Sequence, residues 1–476
     1  MERTDFTGKE KSVAVLPLAN LSGDKANEYF SDGMTDEIIN QLSKITGLRI
    51  ISRGSVIRYK GSKEDIQQIA GELHVAALLK GGINRSGNKL KINIRLIDVN
   101  TGKPIWEEDY DREISDIFSI QTELAQLIAD KLNAALTPVE KNKIAERPTQ
   151  NLEAFDQYLK GRNAWNTGGD SALRKGIDFF NQAIRLDPLY SRAYSGLADC
   201  YSALGYLSYE LPSHAFLKAE AAAVKALQLD STLADPHTSL GYIKFYYYWD
   251  WVGAEQEFLK AIHLNPAYVL AYDSYGYFLT AMERFPEGRS VLEKAWQLDP
   301  LSPKINTDLG FNLYYSHKYD QAITALYHAL ELNPKFLLAH LWLSRVYLQK
   351  KIYREAIEQN LITLKGKYKW AITMGANGYI YAVSGNHEEA KKILSQMYAL
   401  SDSQYITPYG LGIVYAGMND TENAFKCLNK AYTDRSNWLV WFKQDPRWAS
   451  IKNDKRYIDL VKKIGLPDNA LPLNKQ

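Results

Sequence analysis

The sequence has almost no cysteine. Cys200 and Cys427 stand far apart, which excludes a disulfide framework or a thiolate metal site. Each lies in a helical pattern among small residues and reads as inert core packing. No run of eighteen apolar residues occurs, so no stretch reads as a transmembrane helix. Met1–Lys11 is polar and lacks the apolar centre of a signal peptide. No sign of charge dominates either: 57 Lys and Arg stand against 55 Asp and Glu. There is thus no global field for nucleic acid or an anionic membrane, and no contact with nucleic acid is expected. The eight histidines form no HxxxH or HExxH pair, and there is no GxSxG elbow. No metal, no cofactor and no catalytic constellation is expected, so the chain reads as non-enzymatic. The opening "VAVLPLANLSGDKANEYF" places a strand, a glycine loop and a helix in the order of a nucleotide site. It offers one glycine, Gly23, with the acids Asp24, Glu28 and Asp32 beside it. That loop would repel phosphate rather than cradle it. Gly23 and Gly33 are expected to serve a turn and a helix kink.

Aromatics are abundant: 32 Tyr, 15 Phe and 10 Trp, with Tyr concentrated after residue 150. At 476 residues the chain exceeds one hydrophobic core. Residues 10–140 alternate between strand and helix patterns. Strands are expected at Val13–Leu18, Leu48–Arg53, Ala76–Asn84, Lys89–Val99 and, at an edge, Ile105–Tyr110. Helices are expected at Asn27–Ile45, Asp65–Leu73 and Ile117–Leu136, with Thr35 and Asp36 able to cap the second part of the first. "LKINIRLIDV" alternates at period two, and "RSGNK" before it signals a hairpin. The fold class is an α/β N-terminal domain, a mixed sheet with helices. "SVAVLPLANLSGDKANEYFSDGMTDEIINQL" and "YKGSKEDIQQIAGELHVAALLKGGINRSGNKLKINIRLIDVNTGKPIWEEDY" resemble the TolB amino-terminal-like domain of bacterial signalling proteins, with Lys80 where that family more often has an acid. The resemblance implies a non-catalytic unit that follows a cyclase, kinase or winged-helix domain or a membrane anchor. It implies a bacterial protein of the cytoplasm, or of the periplasm behind such an anchor.

Residues 154–440 repeat. "AIRLDP", "ALQLDS", "AIHLNP", "AWQLDP" and "ALELNP" end at 188, 231, 266, 300 and 334. Ala254, Gly288, Ala322, Ala356, Ala390 and Ala424 are spaced by 34, and Gly176 and Ala219 hold the same place upstream. The small residue lets two helices approach, and the proline ends the second. This pattern is similar to the tetratricopeptide repeat, which implies an all-α superhelical solenoid of about eight units. About nine extra residues are expected at "GYLSYELPS", 205–213. Residues 141–153 read as a linker, 441–467 as C-terminal capping helices, and 468–476 as disordered.

In such a solenoid the first helix of each unit lines a concave groove. Aligning the units puts Tyr242, Phe245, Asp273, Tyr277, Phe311, Tyr314, Arg345 and Tyr379 there. These are the candidate ligand-binding residues: a ladder of aromatics with Asp273 and Arg345 as charged fixing points. Within "YIKFYYYWDW", Trp251 is expected in the core and at least one of Tyr246, Tyr247 and Tyr248 at the surface. The function expected is an interaction or sensory module that binds a protein, a peptide or a small ligand in that groove. An oligomeric assembly scaffold without a small ligand is the alternative, and an enzyme with an interdomain site a more remote one. Replacing Tyr277 and Phe311 by Ala is expected to abolish binding at little cost in stability. Residues 1–145 are expected to fold alone.

Overall fold

A computed structural model describes residues 11–365 and 370–467, so the expectation for 468–476 lies outside the described residues. The α/β domain holds six strands: β1 (Ser12–Val15), β2 (Ala19–Asn20), β3 (Arg49–Ile50), β4 (Ala77–Ser86), β5 (Lys89–Asp98) and β6 (Pro104–Glu113). Their order is β3-β1-β4-β5-β6, with β2 also beside β4. β1 runs parallel to β3 and β4, whereas β4, β5 and β6 form an antiparallel meander. Gly87, at positive φ, turns the β4–β5 hairpin. Along β5, Leu90, Ile92, Ile94 and Leu96 are buried and the residues between them face water. This is the period-two pattern of a sheet covered on one face. Five helices complete the domain: α1 (Glu28–Leu42), α2 (Arg53–Val56), α3 (Ile66–Leu73), α4 (Ile117–Lys131) and α5 (Pro138–Ala145).

Three expectations need correction here. Thr35 does not divide α1; its hydroxyl donates to the Ser31 carbonyl and accepts from the Leu18 amide, tying the helix to the segment between β1 and β2. Gly33 is not at a kink. A Cβ there would lie 2.9 Å from the Leu159 side chain, so the glycine admits the solenoid against α1. The span 141–153 is not a free linker. It begins inside α5, which opens with a Thr137–Glu140 capping box, and Thr122 bonds the Ile144 carbonyl. Asn151 then caps the next helix and bonds the Leu186 carbonyl.

Eight helix pairs follow, spanning 152–186, 191–229, 234–264, 269–298, 303–332, 337–363, 371–400 and 408–433. The small residues at the 34-residue spacing, Ala254, Ala322, Ala356, Ala390 and Ala424, are fully buried where the helices of each pair meet. Of residues 205–213 in the second pair, 207–211 form the turn between its helices, which are themselves long, Ser191–Tyr206 and Pro212–Leu229. In the aromatic patch, Tyr246 is buried, Tyr248 is 42% exposed, and Trp251 is half-buried with its indole donating to the Gly465 carbonyl.

The α/β domain docks along the solenoid. The Asp or Asn of three of the helix-ending turns contributes to this. Asp187 accepts from Thr149, Asn265 donates to Ser43 at 3.4 Å, and Asp299 accepts from Ser55 at 2.5 Å. Salt bridges Glu37–Arg192 (2.6 Å) and Asp156–Arg85 (2.6 Å) join the two parts, and the rings of Phe118 and Phe155 meet at 4.8 Å.

Candidate interaction groove

The aromatic ladder gathers on the inner helices, but it does not line an open groove. The segment after the eighth pair, 434–451, turns back across it. Here the sequence expectation of capping helices at 441–467 is corrected. Asn437–Trp441 and Pro446–Ile451 are short 3-10 helices laid on the inner face, and only Lys455–Ile464 is an amphipathic α-helix.

Trp441 is the anchor, 3% exposed. Its indole stacks on Tyr315 (5.1 Å, 20°) and meets Phe311 edge-on (4.9 Å, 87°), with Tyr277 and Phe245 at 6.1 and 6.2 Å. Tyr277 and Phe311 stack on each other at 4.4 Å. Aromatic pairs of this kind add about 0.5–1.5 kcal/mol each beyond their buried area. Three polar side chains of the segment donate to carbonyls at the C-termini of the inner helices. Asn437 donates to Tyr206 O (2.8 Å), Gln444 to Ala281 O (2.5 Å) and Ser450 to Ala416 O (3.1 Å). Further along, Asp445 is buried with Arg447 (2.6 Å) and accepts from the Tyr409 hydroxyl (2.7 Å), which in turn accepts from the Trp448 indole (2.7 Å). Arg447's charge holds the Asp445 carboxyl below its usual range against the opposing effect of burial.

The candidate ligand residues divide accordingly. Phe245, Tyr277 and Phe311 surround Trp441. Arg345, 2% exposed, lies between the faces of Trp342 (4.3 Å) and Trp438 (5.3 Å), a cation–π clamp on the returning segment. Asp273 pairs with Lys304, which also bridges to Asp308 at 2.8 Å, and Asp308 accepts from the Tyr277 hydroxyl at 2.5 Å. Burial raises the Asp308 carboxyl well above its ordinary range. Tyr242 packs with Tyr206 and Tyr246 at 5.4 and 4.5 Å. Tyr314 packs on Trp342 at 5.5 Å, and Tyr379 is half-buried against Gly417. Reading the sequence missed Tyr206, Lys304, Tyr315 and Trp342, and above all Trp438 and Trp441. The signal was "NWLVWF", 437–442, a dense run of large aromatics just beyond the last repeat.

Residues 9–127 match a family described as HilA/YgeH-like transcriptional regulator, second domain. The chain is 21% identical over 479 aligned positions to the transcriptional regulator HilA of Salmonella typhimurium, covering 93% of this chain and 78% of that one. It is 36% identical over 187 residues to a putative adenylate cyclase 3 of Rhizobium meliloti, covering 39% of this chain but only 32% of the relative. Among solved structures it is similar to YrrB, a TPR protein with an unusual peptide-binding site: 19% identity, TM-score 0.28, 44% of this chain and 99% of that one.

Proposed function

We propose that this chain is the non-enzymatic interaction module of a bacterial regulatory or signalling protein, and that its inner groove recognises a stretch of polypeptide anchored by an aromatic residue. The observation that carries the reading is the seat of Trp441. The groove accommodates a segment through ring stacking, one guanidinium clamp and side-chain bonds to helix-end carbonyls, which are the contacts of a peptide site. In the closed state that segment is the chain's own. A partner gains the groove by displacing it, so the partner's apparent affinity is reduced by the fraction of molecules that are closed. The regulator relatives support a place in regulation. The HilA/YgeH-like match and the TolB-like resemblance fall on nearly the same residues, and both support an α/β domain that couples the solenoid to an output rather than one that performs chemistry.

The test uses a fluorescent peptide of residues 434–448 added to the full chain. The wild-type chain, already filled, is expected to leave it free; the Trp441→Ala chain is expected to bind it. If the folded Trp441→Ala chain leaves the peptide free as well, the groove is ordinary core and the proposal fails.

A further inference from the structure

A second concavity lies outside the aromatic groove. A cavity of about 1140 Å³ opens between the α/β domain and the first four helix pairs. One wall is the end of α1 with the turn after it, together with α5 and the residues following. The other is the inner helices that carry Tyr158, Arg162 and Arg192, and the turns near Asp230, Asn265 and Gln297. In a chain of balanced charge, this lining is not balanced: eight Lys and Arg stand against four Asp and Glu, and with Arg192 paired to Glu37 and Arg162 to Asp199 behind the wall, six cations remain against four carboxylates.

Two of the four carboxylates there are turned to backbone amides. Glu140 accepts from the amides of Thr46 and Thr137, both at 2.8 Å, and Asp230 from the Thr232 amide at 2.9 Å. Lys44 donates to a neutral group, the Lys143 carbonyl, at 2.8 Å. Burial, and then the charge of Arg192, push its ammonium down to about 8. Three inner helices begin at this cavity, at Ser191, Ala234 and Val269, and none has a side chain capping its N-terminus. Their positive dipole ends add to the field of the lysines and arginines. Tyr158, Tyr268 and Tyr272 belong to the same lining.

We infer that this interdomain cavity binds a small multivalent anion carrying phosphate or carboxylate groups, with Lys44 and Lys294 among its contacts. A bound anion would touch both domains at once. It would therefore strengthen their docking, which is how a small molecule is sensed by a two-part chain.

The experiment is calorimetric titration and thermal melting of the full chain with pyrophosphate, citrate and ATP, at fixed ionic strength. At least one is expected to bind at micromolar to millimolar concentration and to raise the melting temperature. Pyrophosphate and ATP without citrate identify a phosphate site; citrate alone identifies a carboxylate site; all three identify a site that reads charge. Lys44→Gln is expected to weaken binding about tenfold, the loss of one charge-assisted contact. Lys294→Gln, an exposed change on the opposite wall, is expected to weaken it in the same direction should the first variant fold poorly. Lys391→Gln, on a distant exposed helix face, is expected to change nothing. Silence with all three anions, or unchanged affinity in both cavity variants, would overturn the inference.

Discussion

Phe311 is fully buried, and its ring meets those of Tyr277, Trp342 and Trp441. Phe311→Ala is therefore expected to cost about 3–5 kcal/mol, the range for a large aromatic lost from a core. Denaturant unfolding checks this; a loss under about 1 kcal/mol would instead match an exposed ligand contact. The low cost expected from the sequence is thus revised, because the alignment of repeats gives a side chain's direction but not what lies against it. Asp299 carries a second residue-scale expectation. It is buried at the domain interface, and burial raises its carboxyl to about 7. Its folded state therefore holds a proton that the unfolded chain releases near pH 4. The sign follows: this group's contribution is fullest at acid pH and is lost as pH rises toward and through 7. Asp299→Asn should flatten the fall in stability between pH 5 and 8, by at most about 1.4 kcal/mol per pH unit. Equal slopes in both proteins would contradict it.

At the scale of elements, the close approaches are the places to press. A Cβ on Gly54 would lie 2.2 Å from the Asp299 carboxylate, so Gly54→Ala should push α2 off the 299–301 turn. Faster proteolysis within 134–151 than in wild type would report the loosened docking. Much of the element order was legible in advance. The strands of the meander, the eight pairs and the turn at Gly87 follow from periodicities that a local pattern carries. Three features were not legible. The docking of Asn265 and Asp299 uses residues whose local reason for being there, ending a helix, is sufficient by itself. Gly33 reads as a kink because its partner, Leu159, is remote in sequence. The path of segment 437–451 was hidden because its partners are spread over six helix pairs, from Tyr206 to Ala416, and only the closed superhelix brings Phe245, Phe311 and Trp441 together.

On the scale of the whole molecule, the two parts share one core. A continuous apolar cluster runs from Val13 to Leu466 and includes Phe118, Phe155 and Leu159. Residues 1–145 were expected from sequence to fold alone. In the structure their α1 and α4 faces are completed by the solenoid, so that fragment should bind a hydrophobic dye that the full chain does not. The full chain should accordingly melt in a single transition, and two well-separated transitions would contradict a shared core. The account as a whole rests on a groove that holds its own chain, and hydrogen exchange across residues 436–448 of the full chain tests it most directly. Slow exchange, comparable with the inner helices on which Trp441 rests, is the predicted result. Exchange at the rate of an open chain, with those helices protected, would contradict it and leave the aromatic ladder as an empty site.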